Sequence, residues 1–152
     1  MWLRVIAVGR DRKGLFQRAV EDYSSRLCRY LRFEVIEVPA SKLRRADAAR
    51  REEADRIVSV HGERRRLFSL DGGGEALSSA GLARLLDRLI LESRGVDFVI
   101  GGDEGLDPSI SRKAEKALSL GPMTLPHQLA RVVLVEQLYR AMTILRGEPY
   151  HK

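Results

Sequence analysis

Leu118-Ser-Leu-Gly-Pro-Met-Thr-Leu-Pro-His-Gln-Leu-Ala-Arg131 joins a thin apolar run to a long hydrophobic segment. The run at 118–120 predicts a short strand, and the residues from His127 to about Arg146 predict a helix. The glycine and prolines between them end the strand and predict a loop before the helix. A buried strand, a glycine-bearing loop and then a helix is the pattern of an α/β fold.

The rest of the chain continues this alternation. Apolar or alternating runs predict strands at 2–8, 33–38, 67–70 and 97–100. Apolar residues at helical spacing predict helices at 15–29, 46–60 and 108–117, and a further helix that Ser79 caps. Strands that alternate with helices form βαβ units. We therefore expect one domain over residues 1–152, with a mostly parallel sheet flanked by helices.

Composition narrows the class of protein. The chain has 152 residues, 44% of them hydrophobic, which is enough for a core without metals or disulfides. Its single cysteine, Cys28, lies in the apolar pattern of the first helix, so we expect it in the core and predict no metal site. No apolar run is long enough to cross a membrane. The sequence favours a soluble protein of the reducing cytoplasm.

The net charge of +6 is unevenly distributed. Residues 1–66 carry 17 Lys and Arg against 10 Asp and Glu, whereas residues 67–152 carry 10 against 11. Such an excess of cations is typical of a surface that binds nucleic acid phosphates. The alternative is a solvated, arginine-rich surface without a partner, because 22 of the 27 cations are arginine.

Three loops follow predicted strands and are candidates for a ligand site: 70–74, 100–106 and 118–127. Ligands of open α/β sheets bind beyond the carboxyl ends of the strands, and glycine lets backbone amides approach them. Gly72-Gly-Gly74 taken alone is more typical of an ordinary turn than of a ligand site. The chain contains neither a G-x-G-x-x-G fingerprint nor a P-loop, so dinucleotide binding and ATP hydrolysis are not supported. It also lacks the G-x-S-x-G elbow of a hydrolase.

Histidines supply the other candidates. His61 follows a charged helix, and we expect it at the surface. His127 begins the last helix, where its spacing to Arg131 and Arg140 predicts three side chains within reach of one another. A lone histidine at a helix start is also often a simple cap or a solvent-exposed residue.

Three strings together resemble one family: Val99-Ile-Gly-Gly-Asp-Glu-Gly-Leu106, Leu118 to Arg131 as quoted above, and Glu136-Gln-Leu-Tyr-Arg-Ala-Met142 with the tail Pro149-Tyr-His151. The chain is similar over its whole length to the ribosomal RNA large subunit methyltransferase H family. That family belongs to the SPOUT superfamily, whose α/β fold ends in a C-terminal trefoil knot.

The resemblance implies methyl transfer from S-adenosylmethionine to N3 of a pseudouridine in large-subunit (23S) ribosomal RNA on the ribosome. It also implies a homodimer. The residues that it assigns to the cofactor are Leu70, Gly102, Leu120, Gly121, Pro122, Met123, Thr124 and Leu125.

The same resemblance implies that Tyr150 and His151 are catalytic residues, and that they fold over the active site of the partner subunit. His127, Arg131 and Arg140 are then the substrate-binding residues. The opposite interpretation of the tail is a frayed terminus, as chain ends usually are. The competing hypothesis is a protein that keeps the fold and binds RNA but does not bind the cofactor and is not an enzyme.

The last helix gives an independent reason to expect a dimer. Apolar residues occur on nearly every side of the segment 129–145. Helices that are hydrophobic all round are buried, and a second subunit can cover one side.

Overall fold

The computed structural model describes residues 1–92 and 95–152, which fold as alternating strands and helices. The elements, in chain order, are β1 (Trp2–Val8), α1 (Gln17–Leu27), β2 (Arg32–Val38), α2 (Ala46–His61), β3 (Arg66–Ala76), α3 (Ser79–Leu91), β4 (Val96–Ile100), α4 (Pro108–Lys113), β5 (Lys116–Ser119) and α5 (His127–Leu145). None of the helices in these residues is both long enough and apolar enough to span a membrane.

The five strands form one sheet in the order β2-β1-β4-β3-β5, and each adjacent pair is parallel. All strands therefore end at the same edge, called here the carboxyl edge, and begin at the opposite amino edge. The loops after β1, β3, β4 and β5 meet at the carboxyl edge. The prediction of a mostly parallel sheet is confirmed.

Helices cover both faces of the sheet. On one face, α1, α3 and α5 pack against strand residues such as Leu3, Phe68 and Phe98. On the other face, Ile57 of α2 and Ile110 of α4 pack against the neighbouring side chains of β1, β3 and β4. Strand β4 is buried on both faces, and all its residues except Asp97 are apolar, which is why the sequence shows an apolar run rather than strict alternation there.

Helix α5 lies between α1 and α3 and contacts both. Its buried residues include Leu134, Val135 and Leu138, and its other apolar side chains are half-buried. The two neighbouring helices of the same chain therefore account for much of the apolar character that the sequence analysis attributed to a partner.

Three predicted boundaries were wrong. The segment 71–74, predicted as a turn, is an irregularity inside β3, which continues to Ala76 and pairs with β5 on both sides of it. Asp71 holds this bulge by accepting a hydrogen bond from the Gly73 amide at 2.8 Å. Helix α4 ends at Lys113, so β5 begins two residues earlier than predicted, and Ser78 rather than Ser79 caps α3.

Two expectations about single side chains were also wrong. Cys28, expected in the core, is exposed, because it follows the last turn of α1 and only its Sγ approaches the Phe33 carbonyl, at 3.6 Å. His61, expected at the surface, is buried, because it ends α2 beside the start of β4. Its Nδ1 lies 2.7 Å from Oδ2 of Asp97.

Asp97 is the centre of a buried ionic cluster at the amino edge. Arg4 donates to both of its carboxylate oxygens, at 2.8 and 2.7 Å, and Nε of Arg65 donates at 2.7 Å. Burial by itself would raise the pKa of Asp97, but the hydrogen bonds from Arg4, His61 and Arg65 outweigh it and hold that pKa below its usual value. Because the carboxylate is completely buried, these partners are essential to it.

The only tryptophan of the chain, Trp2, covers this cluster. The guanidinium of Arg32 lies 3.7 Å from the centre of its ring, and that of Arg65 lies 4.8 Å away. Such contacts are attractive because the face of an indole ring is electronegative. The amino edge is thus closed by paired charges and an aromatic ring.

Candidate functional site

A cleft of about 690 Å³ opens at the carboxyl edge, and we call it the glycine-loop cleft. Its walls are the three loops that follow β3, β4 and β5, together with the start of α5. Its volume lies within the range of about 300–1,000 Å³ found for small-molecule sites. The cleft is lined by Leu70, Asp71, Gly72, Ile100, Gly101, Gly102, Asp103, Gly105, Leu106, Ser119, Leu120, Gly121, Pro122, Met123, Thr124, Leu125, Pro126, His127 and Ala130.

All eight residues predicted to hold a cofactor lie in this one cleft. Leu70 comes from β3, Gly102 from the loop after β4, and the stretch 120–125 from the loop after β5. Leu70 and Leu125, which are 55 positions apart in the chain, meet here because parallel strands deliver their loops to one edge. The prediction of the three loops as walls of one ligand site is consistent with this geometry.

Two glycines give the walls their shape. A Cβ on Gly101 would lie 2.7 Å from the carbonyl carbon of Gly105, so only glycine lets this loop fold back on itself. Gly121 has a φ of +127°, which a side chain rarely adopts. The loops therefore present backbone amides and carbonyls to a ligand rather than bulky side chains.

His127 stands at the rim of the glycine-loop cleft and ties two of its walls together. Its Nδ1 lies 3.0 Å from Oδ1 of Asp103, in the loop after β4. The imidazole is one-quarter exposed, whereas Asp103 is 87% exposed. The pair holds the ring in one orientation, and its Nε2 lies on the side of Gly9.

Arg131, one turn further along α5, is almost completely buried. It donates to Oε1 of Glu37 at 2.7 Å and to the Gly9 carbonyl at 3.0 Å. It therefore lies against the ends of β1 and β2, beside the glycine-loop cleft but outside its lining. His127 and Arg131 are close to one another, as the sequence predicted.

Arg140 lies elsewhere, so the predicted trio of His127, Arg131 and Arg140 does not form. Thirteen residues of helix separate His127 from Arg140, which is about 20 Å along the axis. Arg140 instead donates to Oε1 of Glu136 at 3.0 Å through Nε, and its guanidinium lies 4.7 Å from the Tyr150 ring.

The C-terminal tail is ordered against α1 and α5. Tyr150 packs edge-on against Tyr139, with ring centres 4.8 Å apart, and donates to Oε1 of Glu136 at 3.0 Å. Tyr30 fixes the tail from α1's side by donating to Glu148 at 2.6 Å. His151 is exposed, and its Nδ1 lies 3.5 Å from Arg140. The alternative of a frayed terminus is therefore not what the structure shows.

This arrangement affects the chemistry of Tyr150. Burial and its hydrogen bonds with Tyr23 and Glu136 raise the pKa of Tyr150 well above its ordinary value. The phenol is therefore neutral at physiological pH and acts as a hydrogen-bond donor rather than as a base. In one chain, it is at the opposite end of α5 from the glycine-loop cleft.

The comparisons with known proteins assign the fold and the family. A family model described as "Predicted SPOUT methyltransferase" matches residues 1–151. The chain belongs to this family. The resemblance seen in the sequence is confirmed by curated relatives at full coverage of both chains. They are named "Ribosomal RNA large subunit methyltransferase H", and the relative from Anaeromyxobacter sp. (strain Fw109-5) is 51% identical, that from Pseudomonas fluorescens 41%.

Similar solved structures support the fold alone, because their sequence identities are low. A probable methyltransferase from Bordetella pertussis is 15% identical with a TM-score of 0.58, covering 92% of this chain and 93% of its own. TrmJ from Z. mobilis is 12% identical with a TM-score of 0.57, covering 94% of this chain and 70% of its own.

Sequence reasoning missed the partners of the predicted site residues in this SPOUT methyltransferase. Glu37 holds Arg131, and Glu136 holds Tyr150 of the tail. Tyr23 in α1 and Tyr30 just after α1 also support the tail. Only the clustering of tyrosines near both chain ends hinted at such a contact, and tertiary structure was needed to see it. In the described residues, no group of His, Cys, Asp and Glu side chains is arranged to hold a metal ion.

Proposed function

We propose that this protein transfers a methyl group from S-adenosylmethionine to N3 of a pseudouridine in large-subunit ribosomal RNA, on the ribosome in the cytoplasm. Methyl transfer is the activity of its family. The names of relatives at 41–51% identity support ribosomal RNA as the substrate. The observation that carries the proposal is the glycine-loop cleft, which contains every residue that the family resemblance assigns to the cofactor.

The cleft suits a methyl donor of this kind. Leu70, Leu120 and Leu125 provide apolar surface, and the glycine loops provide backbone donors and acceptors at the polar ends of a ligand. S-adenosylmethionine supplies an activated methyl group on a positively charged sulfur. The protein therefore has to align the acceptor and exclude water rather than form a covalent bond.

The acceptor nitrogen must lose a proton before it can attack. Five catalytic and substrate-binding residues are implied by the resemblance. Arg131 and Arg140 carry guanidinium groups, which cannot accept a proton, and the raised pKa of Tyr150 keeps its phenol neutral. His127 and His151 remain as acceptors for the proton. We assign Tyr150 and Arg140 to positioning the base, and Arg131 to holding the ends of β1 and β2 beside it.

The two halves of this machinery lie at opposite ends of α5, which is why we propose that the protein acts as a homodimer. His127 is at the cleft, whereas Tyr150 and His151 lie about 20 Å away near Arg140. A tail cannot cover the cleft of its own chain without unfolding from Tyr30 and Tyr139. A second copy can bring its tail to this cleft, as the resemblance implies. The trefoil knot remains part of the same proposal.

Incubation of the protein with ribosomes and tritiated S-adenosylmethionine tests the reaction. We expect incorporation into large-subunit rRNA and, after digestion to nucleosides, a mass and retention time matching 3-methylpseudouridine. Calorimetry should show that the protein binds S-adenosylmethionine. A protein without such binding would be the cofactor-free RNA-binding protein considered as the alternative, and a methyl group on another atom would refute the assigned position.

Mixed subunits test the dimer. Gly101→Ala should damage the cleft but leave the tail intact, and His151→Ala should do the reverse. If each cleft uses the partner's tail, a mixture of the two impaired variants is more active than either variant alone at low S-adenosylmethionine concentration, since mixed dimers contain one intact site. No gain on mixing, with exchange of subunits verified by mass spectrometry, would place both halves in one chain.

A further inference from the structure

A second cleft lies beside the first, and apart from Arg131 and its partner Glu37 its lining residues have no role in the reaction described so far. It measures about 530 Å³ and lies between the loop after β1, the start of α1 and the start of α5. We call it the Arg131 cleft, and its lining residues are Arg10, Asp11, Arg12, Phe16, Gln17, Val20, Glu21, Val35, Glu37, Gln128 and Arg131. It opens at the same carboxyl edge, and α5 separates it from the glycine-loop cleft, since His127 lines one and Gln128 the other.

The carboxylates of the Arg131 cleft already have partners. Asp11 accepts hydrogen bonds from the Phe16 and Gln17 amides at 2.6 and 3.1 Å, which caps α1. Glu21 accepts from the Gln17 side chain at 2.7 Å, and Glu37 is held by Arg131. Each of these three carboxylates thus accepts a hydrogen bond within the protein, and Glu37 is also paired with a cation.

The cations at the mouth are differently placed. The Arg10 side chain is 80% exposed and reaches Glu37 only at 3.9 Å. Arg12 is exposed, and across residues 1–92 and 95–152 it forms no salt bridge. Both are therefore available to an anion that enters the cleft.

Two further features of the cleft wall favour an anion. The Nε of Arg131 is buried and has no hydrogen-bond acceptor among the described residues, although the rest of its guanidinium is held by Glu37 and Gly9. Helix α5 begins between the two clefts, and within the described residues its start has no side-chain cap and no acidic residue in the first turn. Its first amides lack helical acceptors and carry the positive end of the helix dipole.

The floor of the cleft is apolar. Phe16, Val20 and Val35 line it, and Phe16 is half-buried, so part of its ring is accessible. An aromatic ring next to arginine side chains is the arrangement that binds unpaired nucleotides, whose bases stack and whose phosphates meet the cations.

We propose that the Arg131 cleft binds a nucleotide of the ribosomal RNA strand next to the methylated one. Arg10 and Arg12 contact its phosphate, and Phe16 supports its base. The adjoining glycine-loop cleft then receives the acceptor nucleotide. This assignment rests on the proposed function and adds to it a second binding site on the same substrate.

Kinetics with ribosomes test the phosphate contact. Arg12→Ala should raise the KM for ribosomes about tenfold or more, with kcat and the Kd for S-adenosylmethionine nearly unchanged. The salt dependence of log KM should weaken by about 0.7–1 in slope, the share of one phosphate contact. Lys13→Ala is the matched control, because Lys13 is an exposed cation of the same loop outside the cleft.

The proposal fails if Arg12→Ala and Lys13→Ala change the KM equally, or if neither changes it. If the wild-type protein methylates ribosomes and the Arg12 variant does so with an unaltered KM, the role proposed for the Arg131 cleft is refuted and the proposed function stands. A wild-type protein that does not bind S-adenosylmethionine would refute the function instead.

Photo-crosslinking tests the base contact. With Phe16→p-benzoylphenylalanine, irradiation on ribosomes should give crosslinks to nucleotides adjacent to the methylated position. The control is the same replacement at Leu15, which is 71% exposed and outside the cleft. Equal or stronger crosslinking of those nucleotides from position 15 would contradict stacking on Phe16.

Discussion

The two edges of the sheet each contain an aspartate paired with a histidine, yet the pairs have opposite surroundings. At the amino edge, Asp97 and His61 are completely buried and 2.7 Å apart, with Arg4 and Arg65 completing the cluster. At the carboxyl edge, Asp103 is 87% exposed and His127 is 3.0 Å from it at the rim of a cleft. The first pair is part of the core, and the second faces solvent. The same two residue types therefore stabilise the fold at one edge and remain available to a ligand at the other.

The largest expected effect is that of Asp97→Asn. It leaves Arg4 and Arg65 without their carboxylate in a buried site and should lower the free energy of unfolding by about 3–5 kcal/mol. Asp103→Asn, the control at the other edge, should cost no more than about 1 kcal/mol, since exposed pairs contribute little. Urea denaturation of both variants measures the difference, and equal losses would contradict the comparison.

Acid should weaken the amino edge in a way that depends on Asp97. Because its pKa is lowered in the folded protein, its contribution to stability is complete above the unfolded-state pKa of about 3.9 and disappears as the pH falls through the folded-state value. We expect urea midpoints that are nearly level from pH 7 to 5 and then fall below about pH 4. The gap between the wild type and Asp97→Asn should narrow there, and a constant gap would disprove the assignment.

Gly101→Ala, at the carboxyl edge, should mainly weaken the binding of S-adenosylmethionine rather than unfold the protein. The new Cβ would lie 2.7 Å from the Gly105 carbonyl carbon, and such overpacking costs about 1–3 kcal/mol. If the loop shifts to relieve it, affinity for S-adenosylmethionine falls about 5- to 150-fold by calorimetry. Gly81→Ala in α3 is the control, since a Cβ there meets only ordinary contacts and is no closer than 3.4 Å to Ser78. Unchanged affinity in Gly101→Ala would show that this loop does not bind the donor.

The smallest expected effect concerns the tail at the amino edge. The hydrogen bond to Glu148, together with partial burial, raises the pKa of Tyr30 to about 12. Tyr30→Phe removes that bond and should cost about 0.5–1.5 kcal/mol locally, seen as faster hydrogen exchange of residues 146–152. Glu148→Gln, which keeps an acceptor for the Tyr30 hydroxyl, should exchange less rapidly than Tyr30→Phe. Equal protection in all three proteins would mean that the Tyr30–Glu148 hydrogen bond does not hold the tail and that the contacts of Tyr150 with Glu136 and Tyr139 are sufficient.

The sequence predicted the alternation of strands and helices and the three loops of the glycine-loop cleft, because both follow from local patterns. Strand order, the depth of His61 and the exposure of Cys28 depend on contacts far apart in the chain and could not be predicted. The predicted proximity of His127 and Arg140 was wrong even though both residues lie in one helix. Their thirteen-residue spacing places them on different sides of α5 and about 20 Å apart, which counting along the helix would have revealed.

The position of Trp2 determines what optical spectroscopy can detect in this molecule. The only tryptophan lies over the Arg32 and Arg65 guanidinium groups at the amino edge, and all four tyrosines belong to the tail cluster or its supports. Neither residue type lines the glycine-loop cleft. Intrinsic fluorescence should therefore respond to loss of the Asp97 cluster and to movement of the tail, while a ligand that fills the cleft without moving the tail leaves the emission spectrum unchanged.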